Sequence, residues 1–188
     1  RVCAAGSGRI AVFELSQSNI DTPLLSCRLD SEQAGALVTF EGRVRNSNEG
    51  KPVLRLEYEA YELLARKEGE LIMQEALQKF AVIAVQCVHR TGLLHIGEVA
   101  VWVGVLSAHR GDAFDACRYI IDNIKGRVPI WKREYYVDGS VEWVNCAECA
   151  KQSPDHANRT ESKSVEKNAT GHKIPESNTE QNAQGVRS

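Results

Sequence analysis

Three short stretches gather cations where an element of structure should end: Gly42-Arg43-Val44-Arg45, Ser107-Ala108-His109-Arg110, and Lys125-Gly126-Arg127-Val128-Pro129-Ile130-Trp131-Lys132-Arg133-Glu134. His109 and Arg110 stand just ahead of a helix, where unpaired backbone N–H groups and the helix dipole already favour an anion such as phosphate. Lys125 closes the same helix, and Lys132 follows seven residues later beyond a proline, so a chain that doubles back would bring both ammonium groups to one pocket. Like charges held together favour loss of a proton from one of them, which suits proton-transfer or covalent chemistry. Alone, such residues read as solvated strand ends and a lysine that serves the helix dipole.

The elements that must position them are legible from periodicity. Residues 9–15 read as a strand, and Asp30, Ser31 and Glu32 are expected to open a short helix. Residues 36–44 and 53–60 are β-rich and flank turn formers at 45–50, which predicts a hairpin with a polar tip. A helix is expected over 61–80, with Ile72, Ala76 and Phe80 on one face and Leu64 and Leu71 two turns apart. Two apolar runs, 81–88 and 99–106, read as buried central strands. A second helix over 112–125 lines up Ala113, Phe114, Cys117, Ile120, Ile121 and Ile124, and Gly126 and Pro129 end it. A strand over 130–137, a turn at Asp138-Gly139-Ser140, and a last strand with Val141 and Trp143 follow.

Composition narrows the function classes. The 188 residues suit one domain with a tail, and 23 Lys plus Arg against 25 Asp plus Glu give a formal charge of −2, which argues against broad electrostatic binding of nucleic acid. No apolar run approaches the roughly 20 residues of a membrane span, and six scattered cysteines fit a reducing compartment, so a cytoplasmic protein is expected. From Lys151 onward there is no aromatic residue and no leucine. The expected layout is a flexible N-terminus at 1–8, a domain over 9–146 and a polar, disordered tail over 147–188.

Taken together, the text resembles the large, catalytic subunit of molybdopterin synthase. The resemblance is carried by Gly35-Ala36 through Asn46, Leu56-Glu57-Tyr58-Glu59-Ala60-Tyr61, His89-Arg90-Thr91-Gly92, Gly97-Glu98, Ser107 through Arg110, and Lys125 through Glu134, in that order. It implies an α+β fold, a two-layer α/β sandwich-like core with an inserted β-rich subdomain of the α/β-hammerhead type. It also implies a homodimer at the centre of a heterotetramer with two small, ubiquitin-like sulfur-carrier subunits. Each carrier would bring a C-terminal Gly-Gly thiocarboxylate to the pocket, and two sulfur transfers to cyclic pyranopterin monophosphate would make the dithiolene of the molybdenum cofactor, with no metal or other cofactor on this subunit. Position by position, the resemblance makes Lys125 the indispensable lysine and Lys132 its support. Substrate binding then falls to Arg43, Val44, Arg45, His109, Arg110, Lys125, Lys132, Arg133 and Glu134. The two long apolar strands are the expected source of dimer surface.

Several residues invite blander readings. His89 and Arg90 end a buried strand and are assigned capping or inter-strand hydrogen bonds, outside the site. His95 is placed on an exposed turn, Trp131 and Trp143 in the core, and Cys87 and Cys117 in inert packing. Cys146-Ala147-Glu148-Cys149, with His156 and His172 downstream, has the wrong spacing for the common zinc fingers, and an incidental or accessory role is assigned. The competing functional readings are a non-catalytic scaffold for a ubiquitin-like carrier, against which retention of both lysines argues, and a general phosphate-ligand binder.

Overall fold

The structure is a computed structural model and describes residues 9–145, so the N-terminal octapeptide, the cysteine pair and the tail lie outside the described residues. In chain order the elements are β1 (Ile10–Ser16), α1 (Thr22–Arg28), β2 (Ala36–Arg43), β3 (Ser47–Asn48), β4 (Lys51–Ala60) and α2 (Glu62–Lys79). Then come β5 (Val82–Arg90), β6 (Gly92–His95), β7 (Val99–Ser107), α3 (Arg110–Arg127), β8 (Ile130–Tyr136) and β9 (Val141–Asn145).

One sheet has the order β1-β5-β7-β2, with β1 parallel to β5 and the other pairs antiparallel. Its central strands β5 and β7 are the two apolar runs, and strand alternation splits their side chains between two faces. Val85, Cys87, Val103 and Val105 meet Ile72 and Met73 of α2 and Ile120 and Ile124 of α3 on one face. Ala84, Val88, Trp102 and Leu106 meet Leu25 and Leu29 on the other. Gly69 and Gly104 permit these approaches, since a Cβ at either would run into the Phe13 ring or the Trp102 ring. Both central strands are thus covered by the chain's own helices, and any second copy must dock elsewhere.

The second sheet has the order β3-β4-β8-β9, with β6 also paired to β4. The expected hairpin between 36–44 and 53–60 does not form. At Gly42/Arg43 the register of β2 against β7 shifts, and Val44 is then held by backbone bonds to Glu98 and Gly97, so the chain leaves one sheet and enters the other. The short helix also lies earlier than expected: Asp21 caps α1 by accepting from the Leu24 N–H, while residues 30–34 make a turn. Of the residues assigned to buried helix faces, Ile72, Ala76 and Ile120 are buried, but Leu64 is 47%, Leu71 48% and Phe114 60% exposed.

Candidate active site

The seam between the two sheets holds a cavity of about 370 Å³, a volume within the range of small-molecule sites. Three kinds of element end on it. From the first sheet come the end of β2, with Arg43, Val44 and Arg45 running out of it, and the end of β5, with His89. The last turn of α3 supplies Lys125, and β4 and β8 of the second sheet supply Tyr58, Lys132 and Glu134.

These cations are not equivalent. Lys132 is 12% exposed on its side chain and is bonded to Glu134 at 2.7 Å, so its charge is already matched. Arg43 is bound to Glu41 through Nε at 3.1 Å and Nη2 at 2.5 Å. Among the described residues, neither Arg45 nor Lys125 has an ion-pair or hydrogen-bonding partner. Lys125 Nζ lies 5.9 Å from the centre of the Phe40 ring. The two free cations are therefore Arg45 and Lys125. The premise that Lys132 crowds Lys125 as a second bare charge does not hold, because Glu134 neutralises it.

Glu134 organises the wall opposite α3. It is 3% exposed, and besides Lys132 it accepts from Tyr136 Oη at 2.6 Å and Asn48 Nδ2 at 2.8 Å. Val44, 4% exposed, packs with Leu56, Leu94 and Ala100 and anchors the segment that carries Arg43 and Arg45 along the cavity.

Two groups of expected site residues lie elsewhere. Arg133 follows Lys132 in a strand and so points to the opposite face. There it pairs with Glu59 at 2.8 Å and lies 4.5 Å from the Trp143 ring. Trp131 and Trp143 share that outer surface at 41% and 54% exposure, so neither belongs to the core. His109 and Arg110 are at the start of α3 and Lys125 near its end; 15 residues of helix separate Arg110 from Lys125, about 22 Å at 1.5 Å per residue. Within one chain the pair cannot reach this cavity.

Of the residues left out of the site, Arg90 behaves as assigned: Nη1 donates to Asn19 at 2.5 Å, Nη2 to the Leu93 carbonyl at 3.3 Å, and Glu98 lies 3.7 Å away. His89 does not. It lines the cavity beside Lys125, its Nδ1 is 2.8 Å from the Arg90 carbonyl, and Tyr58 meets its ring edge-on at 5.0 Å. Burial, with Lys125's charge adding to it, lowers its pKa to about 4 against a backbone bond that works the other way. The parity of β5 could have found it, since residues 85, 87 and 89 share the face that α3 covers. His95 is exposed, and Cys87 and Cys117 are buried with thiol pKa values raised by burial.

Fold and site define an α+β protein with a cation-lined pocket at the seam of two sheets. Residues 15–127 match the family described as MoaE protein. The chain is 44% identical over 130 residues to the molybdopterin synthase catalytic subunit of Thermoplasma volcanium, covering 69% of this chain and 95% of the relative. Against the subunit of the same name from Bacillus subtilis it is 41% identical over 132 residues, covering 70% and 83%. The crystal structure of molybdopterin synthase from Staphylococcus aureus superposes with a TM-score of 0.66 at 39% identity, covering 70% of this chain and 96% of that one. The chain belongs to the MoaE family of molybdopterin synthase catalytic subunits. No helix among the described residues is long and apolar enough to cross a membrane.

Proposed function

We propose that this chain is the sulfur-transferring subunit of a molybdopterin synthase, acting on cyclic pyranopterin monophosphate with sulfur from the thiocarboxylate of a small ubiquitin-like carrier. The observation that carries this reading is Lys125, a lysine without a counter-ion on the wall of a cavity whose other lysine is neutralised by Glu134. Both reactants are anions, and the free Lys125 and Arg45 supply the charge that each lacks. Lys125 is fixed by the last turn of a well-packed helix, so its Nζ can be held at the carrier's terminal carbonyl, where it can pass a proton to or from the reacting atoms as the carrier's acyl–sulfur bond is cleaved. Lys132 and Glu134 shape the opposite wall.

The separation of His109 and Arg110 from Lys125 favours a homodimer in which one copy supplies the start of α3 to its partner's pocket, with a carrier at each outer end of the heterotetramer. Anion binding by that pair at a helix start follows from the free N–H groups there. Mixing the chain with a thiocarboxylated carrier and cyclic pyranopterin monophosphate should yield the dithiolene with two carriers consumed per product. A chain that binds the carrier without turnover would instead be a scaffold. One that binds the pterin phosphate with no dependence on the carrier would be a general phosphate-ligand binder.

A further inference from the structure

The free cations of the cavity can hold a phosphate or a thiocarboxylate, but they carry only donors and cannot read a donor on a heterocyclic ring. We propose that His89 is a specificity-determining residue, whose Nε2 accepts a hydrogen bond from an N–H or O–H group on the ring of the substrate. The proposal deepens the reading of the cavity as the pterin site and rests on it.

Geometry fixes the imidazole on three sides. It is the next-to-last residue of β5 and shares the face of Val85 and Cys87, so its ring leaves the sheet toward α3 and the cavity. A carbonyl oxygen only accepts, so the 2.8 Å contact with the Arg90 carbonyl places the ring hydrogen on Nδ1 and leaves Nε2 as a bare lone pair. Tyr58 braces the ring edge-on, with an interplanar angle of 89°. At 7% exposure and beside the Lys125 ammonium group the ring stays neutral near pH 7, which keeps Nε2 an acceptor.

No described residue bonds Nε2. The other acceptor of comparable depth, the Glu134 carboxylate, is already taken by Lys132, Tyr136 and Asn48. A hydroxyl such as that of Ser47 can turn to donate or accept, whereas this nitrogen can only accept. A ligand lacking a donor at that point would leave a desolvated lone pair unmet, a mismatch that typically lowers binding by roughly ten- to a hundredfold.

The test compares wild type with His89→Leu, which removes the acceptor, and His89→Gln, which returns a neutral acceptor oxygen at a similar reach. Each is assayed with thiocarboxylated carrier and cyclic pyranopterin monophosphate, and each is titrated separately with inorganic phosphate as competitor. The expected result is a KM raised about tenfold or more in His89→Leu with a much smaller change in kcat, substantial recovery in His89→Gln, and unchanged inhibition by phosphate. In wild type, long-range ¹H–¹⁵N spectra at neutral pH should show hydrogen on Nδ1 only, and the Nε2 resonance should move when substrate is added. An unchanged KM in His89→Leu, equal loss of phosphate inhibition, or an Nε2 signal that ignores substrate overturns the proposal. The spectra serve even where His89→Leu fails to fold. A wild type that makes no product fails the functional reading itself, and the proposal with it.

Discussion

Replacing Glu134 by glutamine strands a buried cation, and the size of the effect can be worked from its neighbours. The carboxylate is held below the ordinary glutamate pKa even though burial pushes it up, because bonds from Lys132 and Tyr136 and the Lys132 charge prevail. Glutamine keeps the volume but removes the charge and turns one of its ends into a donor, while three donors still face it. Lys132, 12% exposed on its side chain, then has no counter-charge. Removing one partner of a buried pair costs about 3–5 kcal/mol, and because Lys132 keeps some solvent contact the lower end, about 3 kcal/mol, is expected. For a domain of this size that is a fall in melting temperature of about 10 °C. In Lys132→Met/Glu134→Gln no charge is stranded, so most of the stability should return. Urea and thermal denaturation of wild type and the two variants would measure this. A Glu134→Gln protein within about 1 kcal/mol of wild type, or a double variant no more stable than the single one, would refute the reasoning.

Three other outcomes follow from the same geometry. His109→Ala and Arg110→Ala should each weaken precursor binding by about tenfold or more, and at subsaturating precursor mixed dimers of Arg110→Ala and Lys125→Ala chains should be more active than either homodimer, read by single-turnover assay. Arg133→Ala should leave the KM for precursor unchanged, because that guanidinium lies on the outer face among Glu57, Glu59 and Trp143. Glu75, whose pKa is lowered to about 2 by hydrogen bonds from Arg127 and then Tyr119, ties α2 to α3. Its contribution is fully present above its ordinary value of 4.5 and is lost as pH falls toward 2, so Glu75→Gln should flatten the acid limb of a pH–stability profile.

The strands and helices that bury one face were legible because their periods are unambiguous: β5 and β7 as apolar runs, and α2 and α3 from spacings such as Ile120 and Ile124. Pairing was not. Residues 36–44 and 53–60 look like hairpin arms because turn formers lie between them, and only the bulge at Gly42/Arg43 with the backbone clasp on Val44 shows that the chain changes sheet there. In the site, Lys125, Lys132, Arg43 and Arg45 were legible as residue types at element ends. Arg133 misleads because a run of charges in sequence reads as one surface, whereas a strand sends neighbours to opposite faces. His89 is not legible as a site residue because a histidine near the end of a buried strand usually serves structure. Its role depends on α3 bringing Lys125 to the same wall, a contact that no local pattern encodes.

In the proposed reaction Lys125 takes part in the chemistry and does more than attract anions. The direct measurement is single-turnover formation of the dithiolene by wild type, Lys125→Ala and Lys125→Arg, each saturated with thiocarboxylated carrier and with dimerisation, melting temperature and carrier affinity checked in parallel. Arginine keeps the charge but does not readily give up a proton or act as a nucleophile. Almost no product is expected from either variant while folding and carrier binding stay near normal. Turnover near the wild-type rate in Lys125→Ala would contradict it, and full rescue by Lys125→Arg would reduce the residue to a point charge.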